Sequence, residues 1–290
     1  MDTTAKPKSK KSIMSGSGIA GRVLGYGAMV LTVIMIGAPL YWVVINSFKT
    51  PDQVFQVPPS WWPSQFTFDN YPRVFDASPF GRYMLNSIFI TTVLSAIKIF
   101  LGIISAYAFS FLRFPGRSIV FMLVLAALMV PNQITVISNY ALISQLGWTN
   151  TFQGIIVPLA GVAFGTFLMR NHFLSLPYEI IEAARMDGAG HLRMLWKIIL
   201  PMSWPTLVAF SIITIVNEWN EYLWPFLVAS DDSVAPIQVG LTRLVNTDSG
   251  FTDWPLVMSA TVLTIIPVLV VFLLLQRYMI KGLTSGAVKG

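Results

Sequence analysis

Apolar stretches separated by short polar segments fill this sequence from residue 23 to residue 276. Six runs, at residues 23–47, 86–112, 119–138, 152–170, 205–228 and 256–276, approach or exceed the roughly 20 helical residues that cross a hydrocarbon core about 30 Å thick. Lipid offers unpaired backbone groups no hydrogen-bond partner, so each run predicts a helix, and no ten-residue dyad alternation suggests a barrel. The pattern predicts an all-α polytopic membrane protein with about six transmembrane helices. The first run is longer than the roughly 7 to 15 apolar residues of a signal peptide and no small-x-small cleavage site follows it, so a retained helix is expected.

Composition agrees with the pattern. Of 290 residues, 54% are hydrophobic and 11% charged, where soluble domains carry about a quarter charged. The net charge of +6 is explained by position: of 19 Lys and Arg, fourteen fall on one side of the spans, four (Lys49, Arg73, Arg82, Arg243) on the other, and Lys98 lies inside span two. The positive-inside rule then places both termini in the cytoplasm, with residues 1–22 as a basic tail, 23–276 as the transmembrane domain and 277–290 as a second cytoplasmic tail. The bilayer is the expected partner of this surface, and nucleic acid is not.

Cysteine is absent, which removes disulfides, thiolate nucleophiles and iron–sulfur ligands. The only histidines are His172 and His191, and neither a His-Glu-x-x-His nor a Gly-x-Ser-x-Gly string occurs. No metal site and no catalytic residue are expected, and an intramembrane enzyme is disfavoured. Pro39, Pro131, Pro158, Pro225 and Pro267 lie within the runs and predict kinks. The longest external segment, residues 49–85, is rich in Pro, Trp and Phe and predicts short helices over the outer mouth. Trp61 and Trp62 suit an interfacial belt.

The polar stretch at residues 175–201, on the basic side between spans four and five, has a pattern of its own. Ser175 is a candidate N-cap, with Pro177 and Glu179 favourable in a first turn. Ile180, Ile181 and Ala184 make an apolar side, and Asp187-Gly188 a sharp stop. A second short helix is expected from about His191 to Ile199. Small Ala183 and Ala184 allow close approach, and Glu182 and Arg185 offer charged contacts. These residues suit either a docking helix or an amphipathic helix lying on lipid.

Span five is interrupted by Asn217, Glu218, Asn220 and Glu221. A charge in mid-membrane costs at least a few kcal/mol unless it faces protein or water. Asn217, Glu221 and Trp224 recur at helical spacing and are expected on one face, with Glu218 and Tyr222 beside it. That face suits the wall of a translocation cavity, while the carboxylates also suit polar groups on a partner subunit. Trp219, Tyr222 and Trp224 add ring faces fit for sugars or quaternary ammonium. Asn86, Lys98, Asn132, Gln133 and Asn139 are further polar candidates.

The run Glu182-Ala183-Ala184, then Asp187-Gly188 and Leu200-Pro201, resembles the "EAA" loop of bacterial ABC importer permeases. Asn86-Ser-Ile, Tyr107-Ala-Phe, Arg113-Phe-Pro-Gly, Pro131, Trp219-Asn-Glu-Tyr-Leu-Trp-Pro225 and the ending Lys281-Gly-Leu-Thr-Ser-Gly-Ala-Val-Lys-Gly290 are similar to the carbohydrate-type permeases of the maltose-transporter class. Within that class the chain resembles second permease subunits of sn-glycerol-3-phosphate or glycerophosphodiester importers. Met129-Val-Pro-Asn-Gln-Ile-Thr-Val-Ile-Ser-Asn-Tyr140 and Arg170-Asn-His-Phe-Leu-Ser-Leu-Pro177 are similar to their mycobacterial-type members.

The resemblance implies a type I importer fold and a bacterial plasma or inner membrane location. It implies four kinds of part: this chain, a homologous permease, two nucleotide-binding ATPase subunits and an extracellular solute-binding lipoprotein. Glu182, Ala183, Ala184, Arg185, Asp187 and Gly188 would dock on an ATPase subunit, and the C-terminal tail would reach between the two ATPases. No Gly-x-x-x-x-Gly-Lys-Ser/Thr loop is present, so ATP and Mg belong to those partners and this chain binds no cofactor. The implied solute is glycerol-3-phosphate or a glycerophosphodiester such as glycerophosphocholine, with a disaccharide as the alternative.

Overall fold

Breaks within the apolar runs decide how they fold. In the computed structural model, which describes residues 19–245 and 252–285, all regular structure among the described residues is helical. In chain order the helices are α1 (Ile19–Asn46), α2 (Pro51–Val54), α3 (Asn70–Ala77), α4 (Phe80–Phe111), α5 (Arg117–Leu128), α6 (Asn132–Gln145), α7 (Phe152–Leu159), α8 (Ala163–Leu174), α9 (Tyr178–Met186) and α10 (His191–Met194). A π-helical turn at Leu195–Ile199 leads to α11 (Leu200–Met202), followed by α12 (Trp204–Trp219), α13 (Leu223–Val228), α14 (Ile237–Val245) and α15 (Trp254–Ser285).

Three of the six expected spans are single helices: Val23–Asn46, Phe80–Phe111 and Trp254–Arg277. The second begins at Phe80, ahead of the expected residue 86, and its added turn buries Phe80 and Tyr83. The other runs are broken. Span three bends by 100° between α5 and α6, and span four by 43° between α7 and α8. Pro131, the N-cap of α6 at φ −62° and ψ 130°, cannot continue a helix from α5 without losing a hydrogen bond and clashing with the preceding turn. Pro39 and Pro267 lie inside continuous α1 and α15, so proline alone did not decide where the spans break.

α4 is the centre of the packing. It lies against α8 and α12, α12 lies against α15, and α15 against α1 and α3. One buried cluster holds Leu94, Ile90, Trp219, Trp224, Val228 and Ile237; the second holds Phe210, Met169, Phe173, Ile181 and Ile199 and joins the spans to α9. Gly165 allows the α8–α12 approach, since a Cβ there would stand 2.2 Å from the Phe210 ring. Small residues at such crossings are the usual means of close packing in membranes.

The segment at residues 49–79 is tied to the ends of the spans. Lys49 is fully buried; its Nζ donates to Ser60 O at 2.5 Å, and burial lowers its pKa. Asn70 donates to Ser47 O and Lys49 O, each at 2.9 Å. Trp61 and Trp62 are exposed, and Trp61 meets Trp42 edge-on. Of the two tails, residues 1–18 and 286–290 lie outside the described residues; α15 carries the second tail on as helix to Ser285.

Candidate functional site

Two regions concentrate the polar residues singled out above. At the first, α9 starts at Tyr178 with Pro177 as N-cap. Ser175 is not the N-cap. Its N–H and Oγ both donate to His172 O, at 2.9 and 2.7 Å, closing α8. Proline disfavours helical geometry in the residue before it, so the chain turns at Leu176 and the new helix begins after the ring.

The stop is built as expected. Gly188 has φ +73°, Ala189 N donates to Ala184 O and Gly188 N to Arg185 O, each at 3.0 Å. These two bonds form a Schellman motif, which satisfies the last carbonyls of the helix. Ile181 and Ala184 face the inner cluster at 2% and 8% exposure. Glu182, Ala183, Arg185, Asp187 and Gly188 are exposed, as are Ile180, Met186 and Leu192. Ala184 therefore packs inward and Ala183 outward. The expected second helix starts at His191 and passes through the π turn to Pro201. His191 Nδ1 lies 2.8 Å from Tyr107 Oη, which ties this segment to α4.

The second region is a cavity of about 780 Å³ lined by α4, α5, α6, α7, α8, α12 and α13. Asn217, Glu218, Glu221 and Trp224 line it, joined by Gln133 and Asn139. The helical register that was expected to align Asn217, Glu221 and Trp224 is interrupted. α12 ends at Trp219 and α13 begins at Leu223, so the turn at residues 220–222 sets their positions. Asn220 is exposed and donates to Val216 O at 2.8 Å, closing α12. Tyr222 packs on Phe226 with ring centroids 5.2 Å apart. Neither belongs to the cavity lining.

Trp224 is buried and its Nε1 donates to Gly154 O at 3.1 Å, so it holds α13 to α7. Glu221 Oε1 accepts the Trp224 N–H at 3.4 Å. A carboxylate at a helix N-terminus is favoured by the orphan N–H groups there. Lys98, which the sequence marked without a role, is 2.6 Å from Glu218 Oε1 and lines the same cavity. Asn86 belongs elsewhere: it donates to Ser233 O and Ala235 O at 3.1 and 3.0 Å, pinning the loop between α13 and α14. Among the described residues no cluster of three or more metal-ligating side chains occurs.

Residues 98–285 match the family described as "Binding-protein-dependent transport system inner membrane component". The chain is 37% identical over 264 residues, covering 89% of it and 94% of the relative, to the sn-glycerol-3-phosphate transport system permease protein UgpE of Yersinia pestis bv. Antiqua (strain Antiqua). It is 34% identical over 271 residues, covering 91% and 96%, to the protein of the same name in Brucella abortus (strain 2308). Among solved structures it is similar to a chain of a bacterial ABC transporter involved in the import of the acidic polysaccharide alginate, with TM-score 0.79, 27% identity and coverage of 90% and 98%. A chain of the alginate transporter in complex with an alginate pentasaccharide-bound periplasmic protein shares the fold, with TM-score 0.66, 16% identity and coverage of 88% and 94%.

Proposed function

The chain belongs to the family of binding-protein-dependent transport system inner membrane components, and from that premise we propose that it forms half of an import path for sn-glycerol-3-phosphate or glycerophosphodiesters such as glycerophosphocholine. Its role is that of a permease subunit in an ATP-binding-cassette importer, a transport component and not an enzyme. The observation that carries the solute reading is the near full-length similarity to permeases named for glycerol-3-phosphate.

The geometry supports the division of labour. The homologous permease supplies the other half of the cavity, and the solute-binding lipoprotein delivers from outside. The exposed side of α9, with Glu182, Ala183, Arg185, Asp187 and Gly188, docks on one of two nucleotide-binding subunits, which hold ATP and Mg. Both termini lie in the cytoplasm. In the cavity, Glu221 and Asn217 meet the hydroxyls or cationic head of the solute.

A second reading, a sugar importer, is supported by the similarity to the alginate transporter. Solute-dependent ATP hydrolysis by the reconstituted complex separates the two. Binding protein loaded with glycerol-3-phosphate or glycerophosphocholine should stimulate hydrolysis and a disaccharide should not; stimulation by the disaccharide alone selects the sugar reading.

A further inference from the structure

Lys98 stands 18 residues after Phe80 and 13 before Phe111 on α4, about 27 and 20 Å from the helix ends at 1.5 Å per residue. In a core about 30 Å thick centred on this helix, the nearer interface is still about 11 Å away, beyond the reach of a four-carbon stem, so snorkelling does not account for it. An ionisable residue at this depth is costly and points to function. It is the one cation lining the cavity among the described residues. An ammonium carries three N–H donors. Among the described residues its hydrogen-bond partner is Glu218 Oε1, at 2.6 Å. Its side chain keeps 17% exposure against 8% for Glu218, so the carboxylate is the more deeply set member and the ammonium the more open one.

We propose that Lys98 is the point at which the cavity recognises an anionic oxygen of the solute, with Glu218 as the positioning residue that holds the ammonium on the cavity wall. The inference rests on the reading of the solute as a phosphate ester. One N–H stays with Glu218 and the others serve the phosphoryl oxygens, so the ammonium bridges two anions. Asn217, Gln133 and Asn139 line the same cavity, and their carboxamides add neutral donors. Lys98 thus answers the charged end of the solute and Glu221 the remainder.

The test uses the whole complex in proteoliposomes at saturating loaded binding protein, where delivery does not limit the rate. Labelled sn-glycerol-3-phosphate taken up per ATP hydrolysed is measured for wild type, for K98M/E218Q, which removes both charges together, and for K98R. The double variant should co-purify with its partners and still hydrolyse ATP when loaded binding protein is added. Its solute-to-ATP ratio should fall at least tenfold, while K98R should keep most of the wild-type ratio. An unchanged ratio in the double variant overturns the proposal, as does its failure to assemble, which would mark the pair as structural. Wild-type uptake of a disaccharide with none of glycerol-3-phosphate overturns the solute reading as well, so the two failures are told apart.

Discussion

Lys98 Nζ and Glu218 Oε1 lie 2.6 Å apart, joining the middle of α4 to the last turn of α12 across 120 positions of sequence. Both side chains are largely withdrawn from solvent, at 17% and 8% exposure. Removing one member of such a pair strands a buried charge, and removing both does not. Lys98→Met alone should therefore destabilise the complex by about 3 kcal/mol, with the double variant recovering most of the loss. Thermal unfolding of the purified complexes checks this; a loss in the double variant equal to the sum of the losses in Lys98→Met and Glu218→Gln would show that the two residues act independently.

The end of α9 makes a separate demand on its turn. Gly188 at φ +73° leaves space around its Cα, so the obstacle to a side chain is backbone strain, about 1 kcal/mol or more for a residue other than Gly or Asn. Gly188→Leu, which adds bulk on the exposed face, should impair uptake, whereas Gly188→Asn should be tolerated. Glu182→Lys should also impair uptake by reversing an exposed charge. Membrane insertion and binding-protein docking should persist in all three. Normal uptake and ATPase co-purification in Gly188→Leu and Glu182→Lys would leave α9 as a lipid-facing helix.

How far the site was legible in the sequence depends on where the information is local. The six runs, the Asp187-Gly188 stop and the polar break in span five could be read because each depends on neighbouring residues. The Ser175 cap was misassigned because two helix ends compete for it and Pro177 decides between them. The partner of Lys98 could not be read, since pairing across two spans depends on their packing. The cavity at Glu221 arises from a loss of helix at residues 220–222, where the periodicity argument assumed continuity.

Glu221 accepts a long hydrogen bond from Trp224 N, 3.4 Å, and lines the cavity. Glu221→Gln preserves shape while removing charge. Uptake and solute preference should change in the assembled complex, most for choline-bearing solutes, whose cation the carboxylate would attract. The measurement compares glycerol-3-phosphate, glycerophosphocholine and a disaccharide. Unchanged uptake of all three would remove Glu221 from the solute path, and weakened assembly would move it to the seam between permeases.

The asymmetry of fourteen basic residues against four predicts the orientation. Reporter fusions near residues 180 and 285 should report the cytoplasm, and those near 65 and 240 the outside. An external signal at 180 would remove α9 from contact with any ATPase.

The central claim, that this chain completes an ATP-driven import path for a glycerol phosphate ester, is tested most directly by accumulation of labelled sn-glycerol-3-phosphate in proteoliposomes. These would contain the partner permease, the ATPase pair and loaded binding protein, prepared with and without this chain. ATP-dependent accumulation should appear only when the chain is present and should cease when ATP is withheld. Accumulation that proceeds equally without it, or a complete complex that accumulates a disaccharide and no glycerol-3-phosphate, would contradict the account.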